Sequence, residues 1–374
     1  MTVRVPFQQA LRDITGGNQR LLTTDYKGEG AIPVIDQGQA MIAGFTDDLT
    51  AVCRRDGPVI LFGDHTRALK FVDFDFALGA DGVKVLKALP GFDARFLFHF
   101  LRTVRLPENL GYSRHFKFLK ECSVPKPAPD MQQRIAAILD KADSLRRKRQ
   151  EAIRLSDEFL RSAYLDLAKK HPDRASVESV LANIPNAART GPFGSQMLVS
   201  EFTEIGIPVL GIDNVVSNTF TWGARRFVSP EKYLELERYT VRPGDVLVTI
   251  MGTTGRVAVA PDDLPLCIST KHLCTLSLDQ QKMRPFYLWA GLRWDPEVRA
   301  QTQRESKGAI MEGWNMGIVK GLMVSKPPLD AQLKFETLTA RIGRFSKSAG
   351  HAADETDKFI ASLSAKYLGS PVSV

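Results

Sequence analysis

Val124-Pro125-Lys126-Pro127-Ala128-Pro129-Asp130-Met131-Gln132 returns later in the chain as Val324-Ser325-Lys326-Pro327-Pro328-Leu329-Asp330-Ala331-Gln332. The offset of 200 residues holds without a gap beyond this point. Asp157-Glu158-Phe159-Leu160-Arg161-Ser162 falls on Asp357-Lys358-Phe359-Ile360-Ala361-Ser362. A fixed internal period constrains architecture more than a local motif does, because each repeat must be one structural unit. The chain therefore reads as two copies of one module, each a globular part ending in a long helix.

The helical segments carry heptads. Asp130 can cap the first, with Gln133 three residues later as a capping box requires. Ile138, Leu145, Ala152 and Phe159 recur every seventh residue. Ile135, Ala142, Arg149, Ser156 and Ala163 occupy the other seam position less perfectly. The spacing predicts a helix over 130–168, roughly 58 Å long at 1.5 Å per residue, ended by His171-Pro172. The second copy predicts a helix from Asp330 to about Leu368, with a seam of Phe335, Leu338, Ile342, Phe345, Ala349, Ala352, Thr356, Phe359 and Leu363. Two apolar seams of similar length can bury each other in an antiparallel pair. Arg146-Arg147-Lys148-Arg149 offers cations for phosphate, for a partner protein or for solvent.

The regions before the helices read as mixed α/β. In the first, Phe7–Ile14 suggests a short helix and Phe92–Val104 a longer one. Ala31–Ile35, Pro58–Phe62, Ala68–Phe76 and Val83–Leu86 read as strands separated by turn residues. In the second, Ile207–Leu210 parallels Ile32–Ile35, the run Arg242–Thr249 parallels Arg55–Leu61, and Phe286–Arg293 stands for the Phe92 helix. The expected fold class is α+β. Two globular α/β domains are separated by two long α-helices that pair as an antiparallel coiled coil, with a pseudo-twofold internal repeat. The expected boundaries are 1–129, 130–170 (helix), 171–329, 330–369 (helix) and a 370–374 tail.

A charge of +8 and a pI of about 9.3 are compatible with nucleic acid but not specific to it. No signal peptide is expected at the N-terminus, and no run is long and apolar enough to span a bilayer, so the expected location is cytoplasmic. Four cysteines in 374 residues make no disulfide framework. Cys267, His272 and Cys274 fit no common zinc spacing and read better as residues of buried strands, so no metal is expected.

Catalytic signatures are missing. The chain has no phosphate loop, no Gly-x-Ser-x-Gly elbow, no His-Glu-x-x-His and no Cys-x-x-Cys. Gly252-Thr253-Thr254-Gly255-Arg256 between apolar strands reads as a hairpin loop. What remains is a set of polar loops on both modules: Asp64-His65-Thr66-Arg67 in the first and Thr253-Thr254-Gly255-Arg256 in the second. Gln37, Arg189, Thr190, Ser195, Gln196, Asn214, Lys271 and His272 join them. These side-chain types can read base edges through one or two hydrogen bonds, although turns favour several of them for backbone reasons. A coiled-coil protein-interaction scaffold without sequence-specific DNA reading is the alternative, and an enzyme with an unfamiliar pocket is a third possibility.

The chain resembles the specificity subunits of type I restriction-modification systems. The resemblance rests on the doubled Lys-Pro-x-x-Asp-x-Gln start of a long helix, at Lys126–Gln132 and Lys326–Gln332, and on Arg134–Asp140. Gly191-Pro192-Phe193-Gly194-Ser195, Gly206–Leu210 and Gly244–Leu247 look like the opening of that family's target recognition domain. It implies a non-catalytic subunit in which each recognition domain reads one half of a split double-stranded DNA target. The helices would set the spacing. Two modification subunits would dock there, carrying S-adenosylmethionine and methylating adenine, with restriction subunits joining through them. The first region departs from the pattern, having Gly16-Gly17-Asn18-Gln19 in place of Gly191–Ser195, and Leu333 replaces the second Gln of the later helix.

Overall fold

The computed structural model describes residues 3–107, 114–305 and 313–368. The expected tail, 370–374, lies outside them. The chain divides into two compact units, 1–150 with 349–374 and 151–348. The division cuts both long helices, so each unit holds a globular part, half of one helix and half of the other.

The two globular parts share one topology. In unit 1, Leu11–Asp13, Val83–Ala88, Val59–Gly63 and Leu69–Val72 lie side by side in that order, all antiparallel. In unit 2, Ala188–Thr190, Leu273–Leu276, Val246–Thr249 and Val257–Val259 do the same. Beside each sheet lies a second one containing a parallel pair. Ile32–Ile35 runs with Ala77–Leu78 in unit 1, and Ile207–Leu210 with Cys267–Ser269 in unit 2. A short ribbon closes each unit, Arg4–Pro6 with Ser123–Pro125 and Arg174–Ser176 with Met323–Ser325. Val59–Gly63 and Val246–Thr249 are buried at every position. Continuous apolar runs are what a central strand covered on both faces requires.

Local propensity yields to pairing at the N-terminus. The expected Phe7–Ile14 helix is one turn, Phe7–Ala10, and Leu11–Asp13 is drawn into the sheet by Leu86–Ala88. The strand expected over 68–76 is Leu69–Val72, followed separately by Ala77–Leu78. The Phe92 helix is Ala94–Leu101, capped by Asp93, whose carboxylate accepts from Phe96 N at 2.7 Å.

The repeated glutamine explains why the motif recurs. Gln132 and Gln332 are 0% and 1% exposed, one turn inside their helices. Gln132 Oε1 accepts from Asp93 N at 2.8 Å, and its Nε2 donates to Gly91 O and Pro127 O at 3.0 and 2.9 Å. Gln332 repeats this with Arg284 N at 2.8 Å, Lys282 O at 3.2 Å and Pro327 O at 2.8 Å. Each glutamine thus locks the start of its long helix to the globular part of the same unit. Replacing either with leucine leaves buried backbone groups unpaired, at about 1–3 kcal/mol for each group. Urea denaturation is expected to show Gln132→Leu weakening unit 1 and Gln332→Leu weakening unit 2, each leaving the other unit unchanged.

The first long helix runs Pro129–Lys170 and the second Leu329–Leu363, followed by a wider turn over Ser364–Leu368. In unit 1 they run antiparallel. Arg149 reaches Ala352 O and Thr356 Oγ1, Arg146 pairs with Asp357 at 3.4 Å, and Leu368 joins the core of Ile135, Ala136 and Leu139. In unit 2, Tyr164 meets the Phe335 ring edge-on at 6.2 Å, and both pack on Tyr287. Of the three uses open to the 146–149 cluster, Arg146 and Arg149 take none in unit 1, where they brace the helix pair, while Arg147 and Lys148 are exposed.

The heptad assignment needs one correction. Ile135, Ala142, Phe335 and Ala349 are buried as expected, and Leu338 and Ile342 are half-buried. However, Ile138, Leu145, Phe159, Phe345 and Phe359 are 36%, 43%, 56%, 50% and 50% exposed. The second seam position of the first helix is one residue later, at Leu139 and Leu160, which are 2% and 5% exposed. Adjacent apolar residues at 138–139 and 159–160 fit either register by spacing alone. The globular part and the arginine braces select the later one. What remains outside is an apolar stripe along each helix, and the two stripes are related by the same offset of 200 residues.

Candidate nucleic-acid interface

In both units the polar loops gather at the carboxyl ends of the parallel strand pair. In unit 1 the loop after Ile35 meets the Val59–Val72 hairpin turn. Gln37 Oε1 accepts from His65 N at 3.3 Å, its Nε2 donates to Asp81 O at 3.1 Å, and Thr66 Oγ1 donates to Gln37 O. Asp64 N donates to Gly82 O at 2.6 Å. The buried Lys70 ammonium donates to Asp36 O at 2.8 Å and is 3.8 Å from the Asp36 carboxylate. Gln37, His65, Thr66 and Arg67 thus form one cluster, with Thr66 exposed and the others half-buried.

Arg67 holds a left-handed backbone, φ 60°, unusual for a side chain with a Cβ. Its guanidinium donates to Pro107 O at 2.9 Å and His115 Nε2 at 3.3 Å, so it ties the hairpin turn to both residues. Burial, with Arg67 beside it, lowers the pKa of His115 and favours the neutral ring.

In unit 2 the same ends converge. Ile250 N donates to His272 O at 2.9 Å, as Asp64 N does to Gly82 O. Gly252 lies against Ile212, and Gly191 lies so close to Ser269 and Thr270 that a Cβ would overlap their backbone. Thr253, Thr254, Arg256, Lys271 and His272 thus share one rim, with Thr253 and Arg256 exposed. Burial, then the neighbouring Lys271, lowers the pKa of His272. Hydrogen bonds also correct the alignment of the two hairpin turns. Gly63 N donates to Ala68 O, and Thr249 N to Arg256 O. Arg67 therefore corresponds to Gly255, which also has positive φ, 82°, and Arg256 corresponds to Ala68. Trp314, whose indole packs on Gly255, belongs to this rim and carried no motif that would flag it.

Two expected contacts are internal instead. Arg189 is 4% exposed, and its guanidinium is spent on Asp245, Thr240 O, Asn186 O and Ser277 Oγ. Asn214 is 2% exposed and staples its own loop, accepting from Gly211 N at 2.8 Å and donating to Thr221 O at 2.9 Å. At that burial, with their side chains turned to internal partners, neither is presented to a base. Thr190 sits in a strand opposite Cys274, half-buried. Ser195 is exposed, as is Gln196, which accepts from Tyr239 Oη at 3.0 Å. The four cysteines are buried, and burial pushes the thiols of Cys267 and Cys274 up to about 12. No helix among the described residues is long and apolar enough to cross a membrane.

The fold has a counterpart among solved structures. Over its whole length the chain matches the crystal structure of a type I restriction-modification system S subunit from M. genitalium, with a TM-score of 0.64, 13% identity and 97% of that chain covered. In sequence, segments of the chain are similar to specificity subunits of type I restriction enzymes. It is 29% identical over 135 residues to the EcoR124I/EcoR124II specificity subunit of Escherichia coli, covering 32% of this chain and 33% of that one. It is 24% identical over 193 residues to the EcoBI specificity subunit of Escherichia coli, covering 50% of this chain and 40% of that one. The matched segments thus span a third to two fifths of those relatives. No family model matches the chain.

Proposed function

We propose that this chain is the non-catalytic sequence-reading subunit of a type I restriction-modification complex. Each unit reads one half of a bipartite duplex target, and the paired helices fix the gap between the halves. The observation that carries the reading is the recurrence of one topology, and of one loop cluster at its strand ends, in both units. Two similar readers held by a pseudo-symmetric helical pair make half-site spacing a geometric output. Thr66, Thr253, Ser195, Arg256, Lys271 and His272 are the side chains best placed for DNA. Binding of the full chain to its duplex is expected to weaken steeply with salt, with footprints in two blocks. One contiguous block, or protection without sequence preference, would favour the scaffold reading.

The exposed stripes suit the modification subunits. Ile138, Leu145 and Phe159 on one helix, and Phe345 and Phe359 beside the half-buried Leu338 on the other, offer two apolar faces at repeated positions and so two docking sites. S-adenosylmethionine and the methylation of adenine belong to those partners, and restriction subunits join through them. Phe159→Glu and Phe359→Glu are each expected to remove one docked partner, lowering the mass of the complex stepwise in native mass spectrometry. Unchanged stoichiometry in the double variant would move the docking site elsewhere.

A further inference from the structure

The loop after Ile207–Leu210 is held rigidly, yet it carries its largest side chain outward. Asn214 and Thr221 brace it as described, and Asp213 accepts from Ala224 N at 2.7 Å and from Arg226. Asn218 adopts φ 59°, its carbonyl accepts from Trp289 Nε1 at 2.9 Å, and its side-chain oxygen accepts from Val257 N at 3.2 Å. On this frame Trp222 is 51% exposed and touches Phe220 edge-on at 5.3 Å. An indole is among the largest apolar side chains a core can use, so a fixed loop that leaves one in solvent presents it for contact.

Beside the indole lies a largely apolar cavity of about 200 Å³, lined by Pro208, Leu210, Phe227 and Pro265 together with Arg225 and Arg226. Arg226 is neutralised by Asp213, whereas Arg225 is exposed and has no ionic partner among the described residues. The loop is continuous with the rim, since Ile212 packs on Gly252. Its counterpart in unit 1, residues 36–43, is half the length of residues 211–226 and carries no aromatic side chain.

We propose that Trp222 and Arg225 extend the reading surface of unit 2, the recess beside Trp222 receiving the 5-methyl edge of a thymine and Arg225 a neighbouring phosphate. The thymine methyl is the apolar feature a base pair shows in the major groove, and arginine is a common phosphate contact. The inference rests on the sequence-reading function proposed above and adds a determinant that unit 1 lacks.

The test uses the full chain and the duplex it selects. Each thymine of the two half-sites is replaced in turn by deoxyuridine, which removes only the methyl group. One position, in the half-site read by unit 2, is expected to cost the wild-type protein about fourfold in affinity, the worth of one buried methyl group. Trp222→Ala should be indifferent at that position, and Trp222→Phe should keep part of the effect. Arg225→Ala should lower the salt slope by about one without changing base preference. Trp222→Ala protein with wild-type affinity and an unchanged uracil profile overturns the inference while leaving two-block reading intact. Failure of the wild-type protein to select two blocks overturns the proposed function and this inference with it.

Discussion

Replacing Arg189 with methionine is expected to cost unit 2 about 3–5 kcal/mol, the range for breaking a buried ion pair on one side. Arg189 and Asp245 have side chains 3% exposed each, so the carboxylate left behind has no route to water. Asp245 keeps only the hydroxyl of Ser277 at 2.6 Å and Arg242 N at 2.8 Å. The guanidinium also ties Thr240 O, Asn186 O and Ser277 Oγ, which lose this donor together. A second change, Asp245→Asn in the Arg189→Met background, removes the orphaned charge and should recover part of the loss. The readout is built into the chain: Trp222, Trp289, Trp294 and Trp314 are its four tryptophans, and all lie in unit 2. Tryptophan fluorescence in urea therefore reports unit 2 alone. A midpoint unchanged by Arg189→Met would mean that the residue is not the internal brace described here.

The second large effect is geometric. One heptad is inserted between Gln150 and Glu151 and another between Ser348 and Ala349, where the two units divide. Seven residues preserve the seam register and add about 10 Å of helix, equal to about 3 base pairs of duplex. Selected DNA targets are expected to keep both half-sequences and lengthen the gap by that amount. Half-sequences that change with the insertion would mean that the helices shape the reading surfaces rather than space them.

The architecture was legible because the repeat is written in spacing. The doubled Lys-Pro and Gln positions mark where each helix begins, and Gln132 and Gln332 do the same work in the same bonds. The register of the helix seam was not legible. Ile138 and Leu139, or Phe159 and Leu160, offer two apolar residues where one is needed, and only the packed globular part chooses between them. The candidate polar positions were legible as loops, but which of them face solvent was not. Arg189 and Asn214 are polar and near the right strands, yet a buried pair and a loop staple consume them. Composition does not distinguish a donor aimed at solvent from one aimed at a carbonyl. Trp222 went unnoticed because a lone tryptophan in a polar loop reads as core until its exposure is known. The Phe7–Ile14 segment failed for the opposite reason, since a distant strand claimed residues whose local preference was helical.

If two similar readers act at a fixed distance, the full chain will show it in the duplexes it selects from a random library. The selected duplexes are expected to share two conserved blocks of different sequence, separated by a gap of constant length and arbitrary sequence. A single contiguous conserved block, or a gap that varies freely among selected duplexes, would contradict it.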